Sequence, residues 1–266
     1  MERGHKRHLL KKLVLGLHAE GGTEPVAERR IADLQTSEEL WNEFRALVNT
    51  RPPVPADGGW LALQDELLEG LISEMGIASI DDAKTSSIDP RMRLWRGDIT
   101  TLGADAIVNA ANSQMLGCWI PGHHCIDNAI HTFADVQLRL ECARIMSVQG
   151  HEEPTGQAKL TGAYNLPAAH VIHTVGPIAD GHPSDLNRRQ LAACYRSCLD
   201  LASGAGLKSI AFCCVSTGAF GFPQQEAAEI AVQTVQAWLD RHGAEMAVVF
   251  NVFTDVDETA YRKLLT

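Results

Sequence analysis

The chain has 266 residues, 45% of them apolar and 21% charged, with a formal net charge of −10. This composition can bury a core of ordinary size, and the length allows one large domain or a domain with an extension. The acidic balance argues against a nucleic-acid partner, since phosphate backbones want clustered Lys and Arg. With no apolar run of about 18 residues, no helical membrane span is expected.

Seven cysteines without framework spacing point to a reducing, cytoplasmic compartment rather than a disulfide scaffold. Residues 1–20, MERGHKRHLLKKLVLGLHAE, are basic and then mildly apolar. The run Leu13 to Leu17 is short for a signal-peptide core, so an amphipathic helix is expected, with an organelle-targeting peptide as the alternative. Thr36 followed by Glu39 reads as a capping box, and Leu40, Trp41, Phe44, Leu47 and Val48 recur at helical spacing. The prolines of RPPVP, Arg51 to Pro55, end that helix. Asp57 can cap a second helix through Trp60, Leu67, Leu68, Leu71, Ile72 and Met75, with Gly76 past its end. This first third carries no chemistry-bearing cluster. It reads as a helical pack against the main domain or as a recognition surface for a protein substrate. The polar, proline-ended stretch Asp81 to Pro90 reads as a linker. The chain is thereby divided into an α-helical N-terminal extension with linker, 1–90, and a main domain, 91–266.

From Arg91 the pattern changes to short β-rich runs alternating with helical stripes. The expected strands are Met92–Trp95, Ala106–Asn109, His170–Val175, Ser209–Val215 and Met246–Val252. Leu191, Cys194, Tyr195, Cys198 and Leu199 form one helix stripe, and Ala227 through Leu239 another, ended by Gly243. DETAYRKLL, Asp257 to Leu265, reads as a closing helix. Alternation of this kind predicts an α/β domain with a largely parallel, doubly covered sheet. Ligands of such sheets sit in loops at the carboxyl ends of strands. Cys194, Cys198, Cys213 and Cys214 fall on apolar elements and read as buried thiols.

Three segments follow strands. In RGDIT, Asp98 can cap a helix or accept from an exocyclic amine of a base. In VNAANSQMLGC, Asn109 and Asn112 leave the sheet beside small alanines, a composition suited to a hydroxyl-rich ligand. In VSTGAFGFP, Gly218 and Gly221 let backbone approach a ligand ahead of a helix N-terminus, although no Walker pattern follows. Between the second and third lies GCWIPGHHCIDNAIH, Gly117 to His131. Its C-x4-H-x-C spacing offers Cys118, His123 and Cys125 as soft ligands suited to zinc. Three protein ligands leave a position for water or substrate. A structural zinc with His124 as fourth ligand, or no metal, are the alternatives.

Taken in order, GDIT, DAIVNAAN, CIDNAIH, GQAKLTGAYNLPAAHVIHTVGP and STGAFGFP resemble a macrodomain over roughly Arg91 to the C-terminus. The resemblance implies a three-layer α/β/α fold with a mixed, largely parallel sheet. It also implies that ADP-ribose is the ligand. Asp98 would meet the adenine amine, with Ile99 beside it and Phe253 near the ring. Asn112 would meet the distal ribose and Asn109 would brace the loop. Ser216, Thr217, Gly218, Ala219, Phe220, Gly221 and Phe222 would wrap the diphosphate, Phe220 near the distal ribose. Where common macrodomains carry a glycine run, this chain has GCWIPGHHC, which resembles the zinc-dependent subfamily, whose members also carry a helical extension. That likeness implies one Zn²⁺ per chain on Cys118, His123 and Cys125. A monomer is expected. Gln157 stands where the family often has Glu, so no carboxylate role falls there. Asp127 is the candidate general base, with Asn112 beside it in catalysis; the same carboxylate also suits the first turn of a helix. The implied activity is hydrolysis of mono-ADP-ribose from modified, acidic protein side chains. A non-catalytic reader of ADP-ribose and an O-acetyl-ADP-ribose deacetylase are the alternatives.

Overall fold

The computed structural model describes residues 1–22, 31–243 and 245–266. Helices α1 (Arg3–Glu20), α2 (Ser37–Thr50) and α3 (Gly58–Met75) form the extension. The expected capping box closes α2: Thr36 Oγ1 accepts from Glu39 N at 3.1 Å while Glu39 Oε2 accepts from Thr36 N at 2.8 Å. Asp57 caps α3 through Gly59 N and Trp60 N. Apolar stripes on the three helices, including Leu9, Leu13, Leu40, Phe44, Leu67 and Leu68, share one buried cluster, which Val136 of the main domain joins.

The short strands β1 (Ala78–Ser79) and β2 (Lys84–Thr85) follow, then β3 (Met92–Arg96), β4 (Leu102–Gly103) and β5 (Ala106–Ala111). Next come α4 (Ile126–Ala134), α5 (Val136–Gln149), β6 (Ala158–Gly162), β7 (His170–Val175) and α6 (Asp185–Gly204). The chain ends with β8 (Ser209–Phe212), α7 (Gln224–His242), β9 (Ala247–Val252) and α8 (Asp255–Leu265). Seven strands form one sheet in the order β2-β3-β9-β8-β5-β7-β6, with β1 and β4 a separate pair. The five inner strands are parallel, while β2 and β6 lie antiparallel at the edges. Loops that leave β3, β5, β8 and β9 therefore emerge along one edge of the sheet. Helices cover it, α6 packing on α7 and α7 on α8, with α4 against β5 and α5 against β6. The fold is thus α/β with a mixed, largely parallel sheet behind N-terminal helices. Among the described residues no helix is long and apolar enough to cross a membrane.

The structure corrects two readings. The stretch 81–90, expected as a linker, supplies β2 to the sheet, and Ser86 Oγ donates to Leu265 O at 2.7 Å. Strand β8 ends at Phe212, so Cys213 and Cys214 lie just beyond it, where Cys214 Sγ meets Asn251 O.

A polar layer crosses the sheet core at His173. Its Nδ1 faces Asn109 Nδ2 at 3.1 Å and its Nε2 faces Thr161 Oγ1 at 3.0 Å. Burial pulls its pKa down to about 3. Stability gained from keeping the ring neutral is complete above about pH 6.5, where the unfolded ring is neutral too. It drains away as pH falls toward the folded value, because unfolded chains take up the proton first. Urea midpoints are therefore expected to drop between about pH 7.5 and about pH 5, and the drop to shrink in His173→Gln. A variant whose midpoints fall as steeply as the wild type would contradict this.

Candidate active site

The loop from β5 to α4 brings the three soft ligands together. Cys118 Sγ, His123 Nδ1 or Nε2 and Cys125 Sγ lie within 4.8 Å of one another, and Cys118 Sγ is 3.4 Å from His123 Nδ1. Local geometry enforces the convergence. Gly117 has φ +77°, and a side chain there would run into the His131 ring. Cys125 caps α4, its sulfur accepting from Asn128 N at 3.4 Å. Burial, followed by the neighbouring Cys118 and Asp127, pushes the Cys125 thiol up to about 12, opposed by the Asn128 amide. Two sulfurs and an imidazole at this separation fit zinc by donor type. His124 lies outside this convergence.

Asp127 is buried two residues further on. Its Oδ1 accepts from Asn109 Nδ2 at 2.8 Å and stands 3.6 Å from His131 Nε2. Burial raises its pKa to about 6, against the pull of the Asn109 hydrogen bond and the Arg139 charge. Asn112 bridges loop and carboxylate: its Nδ2 donates to Gly117 O at 2.9 Å and lies 3.4 Å from Asp127 Oδ2. Asn109 is fully buried and braces Asp127 and His173, not the loop. His131, Cys142 and His173 form a second, buried group within 4.8 Å. Because His173 commits both nitrogens to Asn109 and Thr161, that group is a polar network of the core and not an open ligand set.

The loop after β8 holds the remaining predicted residues. Ser216 is buried with φ +67°, and its Oγ has no hydrogen-bond partner among the described residues. Gly218 and Ala219 are exposed, Thr217, Phe220 and Gly221 half-buried, and Phe222 buried. Phe222 N closes the turn onto Ser216 O at 2.9 Å. The segment after β7 zips to this loop, Ala179 N donating to Phe220 O and Gly181 N to Gly221 O, both at 2.8 Å. At the other end of the edge, Asp98 Oδ1 accepts from Thr100 N and Thr100 Oγ1. Ile99 packs its side chain into the core. Phe253 is 70% exposed and follows Val252, whose carbonyl accepts from Gly97 N, which sets it beside Asp98. Gly176, Arg139, Arg45 and Asn49 also border the site and were not apparent from spacing; Gly176 alone carried a signal, as a glycine directly after a strand.

An edge of this kind, with an acid at one end, a glycine-rich turn between and a buried carboxylate beside two thiols and an imidazole at the other, defines an α/β domain whose polar loops line the carboxyl ends of its strands, where such sheets take their ligands. The Macro domain family model matches residues 108–231. A Treponema medium protein named protein-ADP-ribose hydrolase is 55% identical over 225 residues, covering 84% of this chain and 86% of that protein. A Staphylococcus aureus (strain MRSA252) protein of the same name is 52% identical over 227 residues, 85% of each. A Trypanosoma brucei macrodomain in complex with ADP-ribose superposes with TM-score 0.65 at 32% identity, covering 84% of this chain and 95% of that one. The chain belongs to the macrodomain family.

A methyl group on Gly176 would collide with Ser216 Oγ, next to the turn. Gly176→Ala is expected to weaken ADP-ribose binding by about tenfold or more in calorimetric titration. Unchanged affinity would remove Ser216 from the ligand's path.

Proposed function

We propose that this macrodomain is a hydrolase that frees mono-ADP-ribose from modified protein side chains, with zinc held by Cys118, His123 and Cys125 beside the distal ribose. The observation that carries this reading is the arrangement around Asn112, whose amide joins the ligand loop at Gly117 O to the buried Asp127 carboxylate. One side chain thereby ties the ligand loop to the carboxylate. The names of the relatives support the hydrolase reading, and the ADP-ribose complex of the trypanosome macrodomain supports the ligand.

Zinc in such a site, when bound, supplies a Lewis acid for an oxygen of substrate or water. The chain supplies the rest. Asp98, the 216–221 turn and Asn112 hold the nucleotide along the sheet edge. Asp127, raised toward neutrality by burial, accepts a proton from the attacking water; a general base is most effective with a pKa near the working pH. Asn109 fixes the carboxylate by donating to Oδ1. We take the substrate bond to be the ester of an acidic side chain: one C–O bond of the ester breaks, the hydroxyl of water goes to one fragment and its proton, taken up by Asp127, is returned to the other, which gives ADP-ribose and a free carboxyl group.

The test uses an auto-ADP-ribosylated protein, with release of free ADP-ribose as readout. Release is expected to vanish with a strong chelator and to return with zinc, and Cys125→Ala to lose zinc and activity together. Asp127→Asn is expected to lower kcat by about 10²–10⁴-fold while ADP-ribose still binds. Tight binding without release by the wild type would make the chain a reader of the mark. Full turnover without metal would overturn the zinc reading and leave Asp127 standing.

A further inference from the structure

The extension reaches the ligand loop directly. Asn49, buried in the last turn of α2, accepts from Gly122 N through Oδ1 at 3.0 Å and donates to Thr132 Oγ1 at 3.1 Å. One amide thus ties the residue before His123 to the second turn of α4. Arg45, one turn earlier on the same face, donates through Nη2 to Asn128 Oδ1 at 3.1 Å and to His123 O at 3.4 Å. Asn128 completes the circuit by donating to Ile120 O at 3.3 Å. From the main domain Arg139 reaches back, its Nη1 donating to Val48 O and Arg51 O at 3.2 and 2.8 Å. That places a cation on the carbonyl end of α2, where the helix dipole favours one. The same guanidinium lies 4.3 Å from the ring centroid of Trp119, inside the loop.

We propose that Asn49 and Arg45 are positioning residues of the zinc site: the helical extension presets the spacing of Cys118, His123 and Cys125 and so sets how tightly the chain holds its metal. The proposal rests on the zinc reading above. Between Ala111 and Ile126 the chain has no helix or strand, so besides the turns His123 N to Ile120 O and Met115 N to Asn112 O, side-chain tethers keep the ligands in place. Only Asn49 holds Gly122 N among the described residues, and it does so from 73 positions away. Metal sites lose affinity when such outer partners are cut, because the ligands must then be ordered by the ion itself.

The experiment measures zinc affinity of the full chain by competition with a chromophoric chelator, for wild type, Asn49→Ala, Asn49→Asp, Arg45→Met and Leu40→Ala. Asn49→Ala is expected to raise the zinc Kd by about 10–100-fold, and Arg45→Met to raise it less. Asn49→Asp keeps an acceptor for Gly122 N and should recover most of the affinity. Leu40→Ala hollows the extension's core without touching the loop, so it should lower Tm and leave Kd in place. In zinc-free protein, hydrogen exchange at the Gly122 amide should be slow in the wild type and fast in Asn49→Ala. Should Asn49→Ala fail to fold, Arg45→Met carries the test alone. The proposal fails if folded Asn49→Ala and Arg45→Met bind zinc as the wild type does, or if Leu40→Ala weakens binding equally. A wild type that binds no zinc overturns the metal reading and this one together; unaltered affinity in the variants overturns this one only.

Discussion

Cys125 occupies the junction on which the site depends. Its sulfur ends the ligand loop and also accepts Asn128 N, one of the amides a helix leaves unpaired at its start. A single residue therefore sets both where the last of the three soft donors sits and where α4 begins. Asp127 follows in the first turn, and His131 comes round one turn later, 3.6 Å from the carboxylate. The separation between Cys125 and the candidate base is thus helix geometry rather than loop conformation, and helix geometry is stiff. Asn109 secures the arrangement from below, donating to Asp127 from a strand that is buried on both faces.

Parallel strands do the rest. With β3, β9, β8, β5 and β7 all running the same way, acid, turn and ligand loop open onto one edge. A dinucleotide-like ligand needs such a row: base at one end, phosphates against backbone amides in the middle, sugar at the other. Ser216 shows what the middle demands. A non-glycine residue with positive φ, buried and with a hydroxyl unpaired among the described residues, is a local cost, borne in a turn that Phe222 N closes onto Ser216 O and that sits against Gly176.

Much of this was legible in the sequence, for reasons that differ by element. Thr36–Glu39, Asp57 and Gly76 announced helix ends because capping is local chemistry, readable within four residues. The inner strands announced themselves as apolar runs because both faces are covered. The convergence of Cys118, His123 and Cys125 was visible because Cys and His are rare and closely spaced. Other features depended on distant partners. Strand β6, AKLTG, is half-polar and sits on an edge, so it lacks the buried-strand pattern. Helix α5 buries Arg139 alongside Leu138 and Cys142, which blurs its apolar stripe. The stretch 81–90 is polar like a linker but is pinned by the carbonyl of Leu265. Asn49 carries no signal within its own helix; its meaning lies in Gly122 and Thr132. The side chain of Ile99 belongs to the core, a burial that its place next to Asp98 does not announce.

The most direct measurement is the visible spectrum of the cobalt-substituted protein, recorded with and without ADP-ribose. An open site of two thiolates and one imidazole predicts thiolate-to-cobalt absorption, with four-coordinate bands that shift when ADP-ribose fills the cleft. Cobalt that fails to bind, or a spectrum that ADP-ribose leaves untouched although it binds, would contradict a metal at the distal-ribose end.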